Sequence, residues 1–142
     1  MNALTRIWCL TVLLTAPCRG ADEWLYGTWE FDKAATFAGV RTNPPPAPPP
    51  AAPGVPDWVS PHPLLVIAQL DGARYSFSAT NLTASTKTQT NVTPYTVLHR
   101  RGSNEVVIQT GGVGTNTIRR VADRLEIDPG IGFTWHFTRI TK

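Results

Sequence analysis

The chain predicts an all-β protein, one antiparallel up-and-down barrel of about eight short strands with a proline-rich excursion in its first loop. Three observations lead there. Residues 24–32, WLYGTWEFD, alternate with the period of two that a half-buried strand requires: Leu25, Gly27, Trp29 and Phe31 share one face, Thr28 and Glu30 the other. Beyond Asp71, short β-prone runs are separated by turn residues, first Asp71-Gly72, then Gly102-Ser103-Asn104 and Ala122-Asp123. The chain then closes on FTWHFTRI, residues 133–140, which alternates in the same way. A β-sandwich would need longer crossing connections than these sequential hairpins supply.

Length and composition bound the architecture. At 142 residues the chain holds one domain with a real core. Residues 1–20 have the parts of a secretory signal, with Arg6 in a short basic region, an apolar run over 7–14 and small residues before a cleavage point after Gly20. The apolar run is too short to span a bilayer. Export to a periplasm or to the exterior is therefore expected, with residues 21–142 as the mature domain. Cys9 and Cys18 both fall in the removed segment, which leaves no thiol for disulfides, catalysis or metal binding. Lipidation of Cys18 is disfavoured because Pro17 stands where a small residue is needed. The formal charge of +3 falls to +1 once Arg6 and Arg19 are gone, too little to attract nucleic acid or an anionic membrane.

The elements follow in order. Asp32 is placed to cap a short helical segment over residues 33–37, which Gly39 ends. Residues 44–63 hold ten of the 13 prolines and lack the amide donors of a strand or helix, so a polyproline II or irregular loop is expected over 43–63. Too little chain precedes it to fold alone, so it is a loop inside one domain. Trp58 is expected to anchor it, over the barrel mouth or against a partner. Residues 64–70, LLVIAQL, are apolar on both faces and read as a doubly covered strand. Tyr75 and Phe77 alternate with Ser76 and Ser78 in the next. Residues 81–94 are rich in Thr, Ser and Asn, and fit a polar hairpin or an irregular loop equally. Strands are expected over 95–101, 105–109, 115–121, 124–127 and 133–140.

Arg139 falls on the aromatic face of the closing run with Phe133, Trp135 and Phe137. A guanidinium there needs a partner, and an aromatic plane is the simplest. Closure of a meander brings first and last strands together, which makes Trp29 that partner and Gly27-Trp29-Arg139 a structural clasp. Gly27-Thr28-Trp29 near the mature start, with Arg139 in the last strand, resembles the glycine-any-tryptophan and distal-arginine pairing of lipocalins and small bacterial lipocalin-like domains. The resemblance spans residues 24–140. It implies an eight-stranded barrel that encloses a small hydrophobic molecule, with the long first loop as lid.

No catalytic constellation is legible. His62, His99 and His136 are scattered without metal-ligand spacing, no nucleophile elbow accompanies the serines, and Gly111-Gly112-Val113-Gly114 lacks the Lys-Ser/Thr and helix of a phosphate loop. Arg100-Arg101 and Arg119-Arg120 read as solvated edge charges. Asn81-Leu82-Thr83 and Asn91-Val92-Thr93 match the glycosylation sequon, which acts only in a eukaryotic secretory route. Among the aromatics, Trp29, Phe133 and Phe137 are expected to fill the closed end, and Tyr75 and Tyr95 to face a pocket. An interior of this size holds either its own side chains or one small ligand. Two functions fit: an exported, non-enzymatic binding module for a small hydrophobic ligand, contacting it through Tyr75, Tyr95 and Trp58, or an envelope interaction protein with a filled barrel that engages a protein through the proline-rich loop. Neither needs a cofactor or a metal.

Overall fold

The computed structural model describes residues 22–46, 62–112 and 114–140. Eight antiparallel strands close into a barrel in strict chain order: β1 Gly27–Phe31, β2 Arg74–Phe77, β3 Asn81–Ser85, β4 Thr90–Arg101, β5 Glu105–Thr110, β6 Gly114–Val121, β7 Arg124–Asp128 and β8 Trp135–Arg139. Two helices, α1 Lys33–Thr42 and α2 Pro63–Gln69, lie in the β1–β2 connection. The seam pairs Trp29 with Arg139, Glu30 with Thr138 and Phe31 with Phe137. Up-and-down order puts the β1–β2, β3–β4, β5–β6 and β7–β8 connections at one end, here the open end. The remaining turns and residues 22–26 lie at the other.

Alternation works as the sequence implies. Trp29, Phe31, Phe77, Val106, Ile108, Ile118, Leu125, Ile127 and Phe137 are all buried in one core. Phe137 lies at its centre, edge-on to Phe31 at 5.5 Å between ring centroids and tilted against Tyr75 at 4.7 Å. Edge-on and tilted rings bring the positive rim of one near the negative face of another.

The first strand begins three residues later than its pattern predicts. Residues 22–25 form a turn, with Leu25 N donating to Asp22 O at 2.9 Å, and Gly27 has φ +122°. Leu25 is nonetheless buried, because the turn folds under the barrel, where its carbonyl accepts from Trp29 Nε1 at 2.9 Å.

Residues 64–70 are the main correction. They are helix as far as Gln69, not strand: α2 starts with Pro63 in its first turn, and His62 caps it, Nδ1 accepting from Leu64 N at 3.3 Å. A short continuous apolar run cannot be assigned by periodicity, and a proline at the first helical position costs no hydrogen bond. Ile67 is buried, while Leu64 and Leu65 on the opposite face are exposed. The count of eight strands holds by exchange, since β3 and the first half of β4 come from the polar stretch 81–94, which pairs from Asn81↔Pro94 to Ser85↔Thr90. Leu82 and Ala84 alternate with Asn81, Thr83 and Ser85, but across the turn the inward residues are the polar Asn91 and Thr93 while Val92 is exposed, so the apolar period does not carry through the stretch.

Asp32 caps α1 as expected, Oδ1 accepting from Ala35 N at 2.9 Å. The helix does not end at Gly39 but continues to Thr42. Gly39 instead permits close contact with the barrel, where an added Cβ would lie 3.4 Å from His136 Nε2. Buried Thr36 accepts from His136 N at 2.9 Å, a β8 amide that β1 no longer reaches. Phe133 is buried too, but in the β7–β8 connection at the open end rather than in a strand at the closed end.

Candidate functional site: a barrel cavity and its charge-free lining

A cavity of about 340 Å³ occupies the barrel, walled by inward side chains of β2 through β8. The register explains its lining in cross-strand rows. Tyr75, Ala84 and Asn91 are successive partners across β2, β3 and β4, as are Phe77, Leu82 and Thr93. Ile118, Ile127 and Trp135 form a third row across β6, β7 and β8, and Ile108 faces Asn116. Thr110 completes the wall, its hydroxyl accepting from Asn116 Nδ2 at 3.3 Å. Small side chains stand in both rows, Ala84 between Tyr75 and Asn91, and Thr93 beside Leu82.

The lining carries no charged side chain. Its polar groups are neutral: the Tyr75 hydroxyl, the amides of Asn91 and Asn116, two threonines and the Trp135 indole. Burial pushes the Tyr75 hydroxyl above its ordinary value of 10.0, so it stays protonated at neutral pH. Trp135 Nε1 is buried with no hydrogen-bond partner among the described residues. An unsatisfied buried donor costs roughly 1 to 3 kcal/mol, a deficit that marks the position.

Tyr75 stands on the cavity wall. Tyr95 does not: it is buried toward the closed end, edge-on to Phe77 at 6.0 Å, and its hydroxyl donates to Ser78 O in the β2–β3 turn. Burial, then Tyr26 and Asp22, pushes that hydroxyl up to about 12. Trp58 lies outside the described residues. The structure joins Gly27, Trp29 and Arg139 in one contact, with the Arg139 guanidinium 5.0 Å above the Trp29 ring. Asn91, Thr93, Thr110 and Asn116 escaped the sequence reading, as polar strand residues signal a cavity only once register is known.

The paired arginines are engaged rather than free edge charges. Arg100 holds Asp22 through Nη2 at 2.6 Å and Nε at 3.0 Å, and Arg120 lies 5.6 Å from the Trp24 ring. Together with Arg139 they bind residues 22–29 across the closed end. Arg101 and Arg119 face outward and flank Glu105, the start of a cross-strand row Arg101, Glu105, Arg119, Glu126, His136. The separations are 3.3 Å from Arg101 to Glu105 and 2.8 Å from Arg119 to Glu105. Arg119 lies 3.9 Å from Glu126, and His136 4.0 Å. Arg119, with Arg101 adding to it, holds the Glu105 carboxyl below its ordinary value.

That row ends in an external groove of about 320 Å³ between α1 and β7–β8, lined by Gly39, Asn43, Glu126, Phe133, Thr134 and His136 among others. Glu126, His136 and the Thr134 hydroxyl all line this groove. Among the described residues no three His, Cys, Asp or Glu side chains converge for a metal ion. The chain matches no family model, no curated protein and no solved structure.

Proposed function

We propose that the protein is an exported, non-enzymatic binding module of lipocalin-like kind that holds a small hydrophobic molecule inside its barrel. The observation that carries this reading is the 340 Å³ cavity walled by seven strands, apolar at Phe77, Leu82, Ile108, Ile118 and Ile127. Ligand pockets are concave, mostly apolar and supplied with a few convergent polar groups, and this volume falls at the small end of their range. Export rests on the composition of residues 1–20. Among the described residues no helix is long and apolar enough to cross a membrane.

Titration with the neutral dye Nile red tests the reading. The expected result is a saturable, blue-shifted emission at one site per chain, abolished by Ala84→Phe, which fills the cavity from the centre of the Tyr75–Ala84–Asn91 row. Absence of saturable emission from the folded wild type would refute it.

A second reading, contact with an envelope protein, draws on α2. Leu64 and Leu65 are 49% and 64% exposed at the point where the chain returns from the proline-rich stretch. Cross-linking from this helix in extracts of the producing cell checks it, and recovery of a single protein that Leu65→Asp abolishes is the result it requires.

A further inference from the structure

The recess outside the barrel has a chemistry of its own. We infer that the external groove between α1 and β7–β8 is a binding site for a neutral saccharide, separate from the barrel cavity and independent of what that cavity holds.

The floor of the groove is the outer face of three neighbouring strands. Because Ile118, Ile127 and Phe137 point into the core, Thr117, Arg119, Glu126, Asp128 and His136 point out. Register sets them in two rows, Arg119–Glu126–His136 and, one step nearer the open end, Thr117–Asp128. A smaller recess of about 90 Å³ lies over the second row and shares Glu126 and Thr134 with the groove, so the two form one continuous surface. α1 supplies the wall with Gly39 and Asn43, and Phe133 supplies an apolar edge.

These groups have hydrogen-bonding capacity left over. Glu126 lies 3.9 Å from Arg119 Nη1 and 4.0 Å from His136 Nδ1, both beyond hydrogen-bond distance, so its carboxylate is open as an acceptor. Arg119 directs Nε and Nη2 at Glu105, at 2.9 and 2.8 Å, which leaves Nη1 on the groove side as a donor. The Asn43 amide and the Thr117 and Thr134 hydroxyls, none bonded to another side chain among the described residues, offer both functions. A ligand whose groups each donate and accept uses the whole floor, and a hydroxyl is such a group. An ion fits less well. An anion meets two carboxylates, Glu126 and Asp128, while a cation finds Glu126 already facing Arg119 and His136. A sugar ring also carries an apolar face, which Phe133 can cover.

Gly39 is a second, independent sign. It lies inside α1, where glycine is less stable than alanine. Space does not forbid alanine, since the added Cβ would meet only His136 Nε2, at 3.4 Å, an ordinary contact. That methyl would stand in the groove, over the imidazole. Helix stability favours alanine at this position, and an open groove favours glycine.

The mature chain is tested on an array of neutral mono-, di- and trisaccharides built from hexoses, pentoses and N-acetylhexosamines. The strongest binder is then titrated by calorimetry beside its amino-sugar and uronic acid counterparts. The expected result is saturable binding of the neutral sugar, weakened at least about tenfold by Glu126→Gln, the factor of one lost hydrogen bond to a charged group. Gly39→Ala should weaken it as well, while melting at the wild-type temperature or higher and leaving the Nile red titration unchanged. Retention of no neutral sugar on the array would overturn the inference, as would a sugar whose binding both variants leave intact. Equal or tighter binding of either charged counterpart would overturn the neutral assignment. Loss of the sugar in Ala84→Phe, with Gly39→Ala without effect, would put it in the barrel instead. None of these outcomes decides whether Nile red binds, so this inference and the barrel reading fail separately.

Discussion

Arg139 and Trp29 are register partners on the two strands that close the barrel, and the guanidinium carbon lies 5.0 Å from the centre of the indole. The same guanidinium donates through Nη2 to Tyr26 O at 2.7 Å, and Trp29 Nε1 donates to Leu25 O at 2.9 Å. One contact thus fixes the seam and also holds the entering turn beneath it. Because Arg139 is exposed at the barrel end, its cation–π term belongs at the weaker end of the range, about 0.5 to 1 kcal/mol.

Coupling between the two residues is the first prediction. A double-mutant cycle of Trp29→Leu with Arg139→Met, read by urea denaturation, is expected to return an interaction energy of about 0.5 kcal/mol or more, since residues in contact are not additive. Simple additivity would separate the seam's stability from this pair.

Gly27 occupies a backbone conformation that other residues resist, with φ +122°. An alanine Cβ there would also lie 3.2 Å from Arg139 Nη2, a contact the flexible arginine relieves by moving. Gly27→Ala is therefore expected to lose about 1 to 3 kcal/mol through backbone strain. The loss should persist in an Arg139→Met background, where the side-chain contact no longer exists. Its disappearance there would assign the cost to the guanidinium instead.

Glu105 sets an acid dependence. Its carboxyl is held below the ordinary value of 4.5 by Arg119 and Arg101, so the unfolded chain binds its proton more readily than the folded one. The resulting stability is complete above the unfolded value and disappears as pH falls through the folded one. Melting temperatures measured from pH 7 down to pH 3 should fall less steeply for Glu105→Gln than for wild type, from a lower starting point. Parallel curves would show that this carboxylate titrates alike in both states.

The helical assignment of residues 63–69 predicts a three-to-four-residue pattern of sensitivity. Ile67→Ala is expected to cost about 2 to 5 kcal/mol, because Ile67 is buried in the core, whereas Leu65→Ala should stay within about 0.5 kcal/mol. A strand in this place would make both changes costly.

Export as proposed requires a cleavage that leaves Asp22 in place, because its carboxylate is buried against Arg100 at the closed end. N-terminal sequencing of the exported protein should read from near Ala21. A chain that starts at Glu23 should melt at a lower temperature, the Arg100 guanidinium having lost its partner. Recovery of a fully stable natural form that lacks Asp22 would refute this.

The amino-acid sequence by itself determined the fold class and the core faces. Alternation at Trp29 and Phe31, at Tyr75 and Phe77, and at Trp135 and Phe137 is a local property, as are the turns at Gly102 and Ala122 and the cap at Asp32. The partnership of Arg139 with Trp29 was legible too, since an arginine on an apolar face has few acceptable neighbours. Tertiary structure decided the rest. Residues 64–69 became helix because burial of Ile67 at the barrel end settles what an unbroken apolar run leaves open. Residues 81–94 became two strands because backbone pairing needs no apolar period when both neighbouring strands are in place. Tyr95 went to the closed end, Asn91 and Asn116 to the cavity, and Arg101 and Arg119 to either side of Glu105. Each of these placements depends on cross-strand register, and register is a relation between residues far apart in the chain that no local pattern contains.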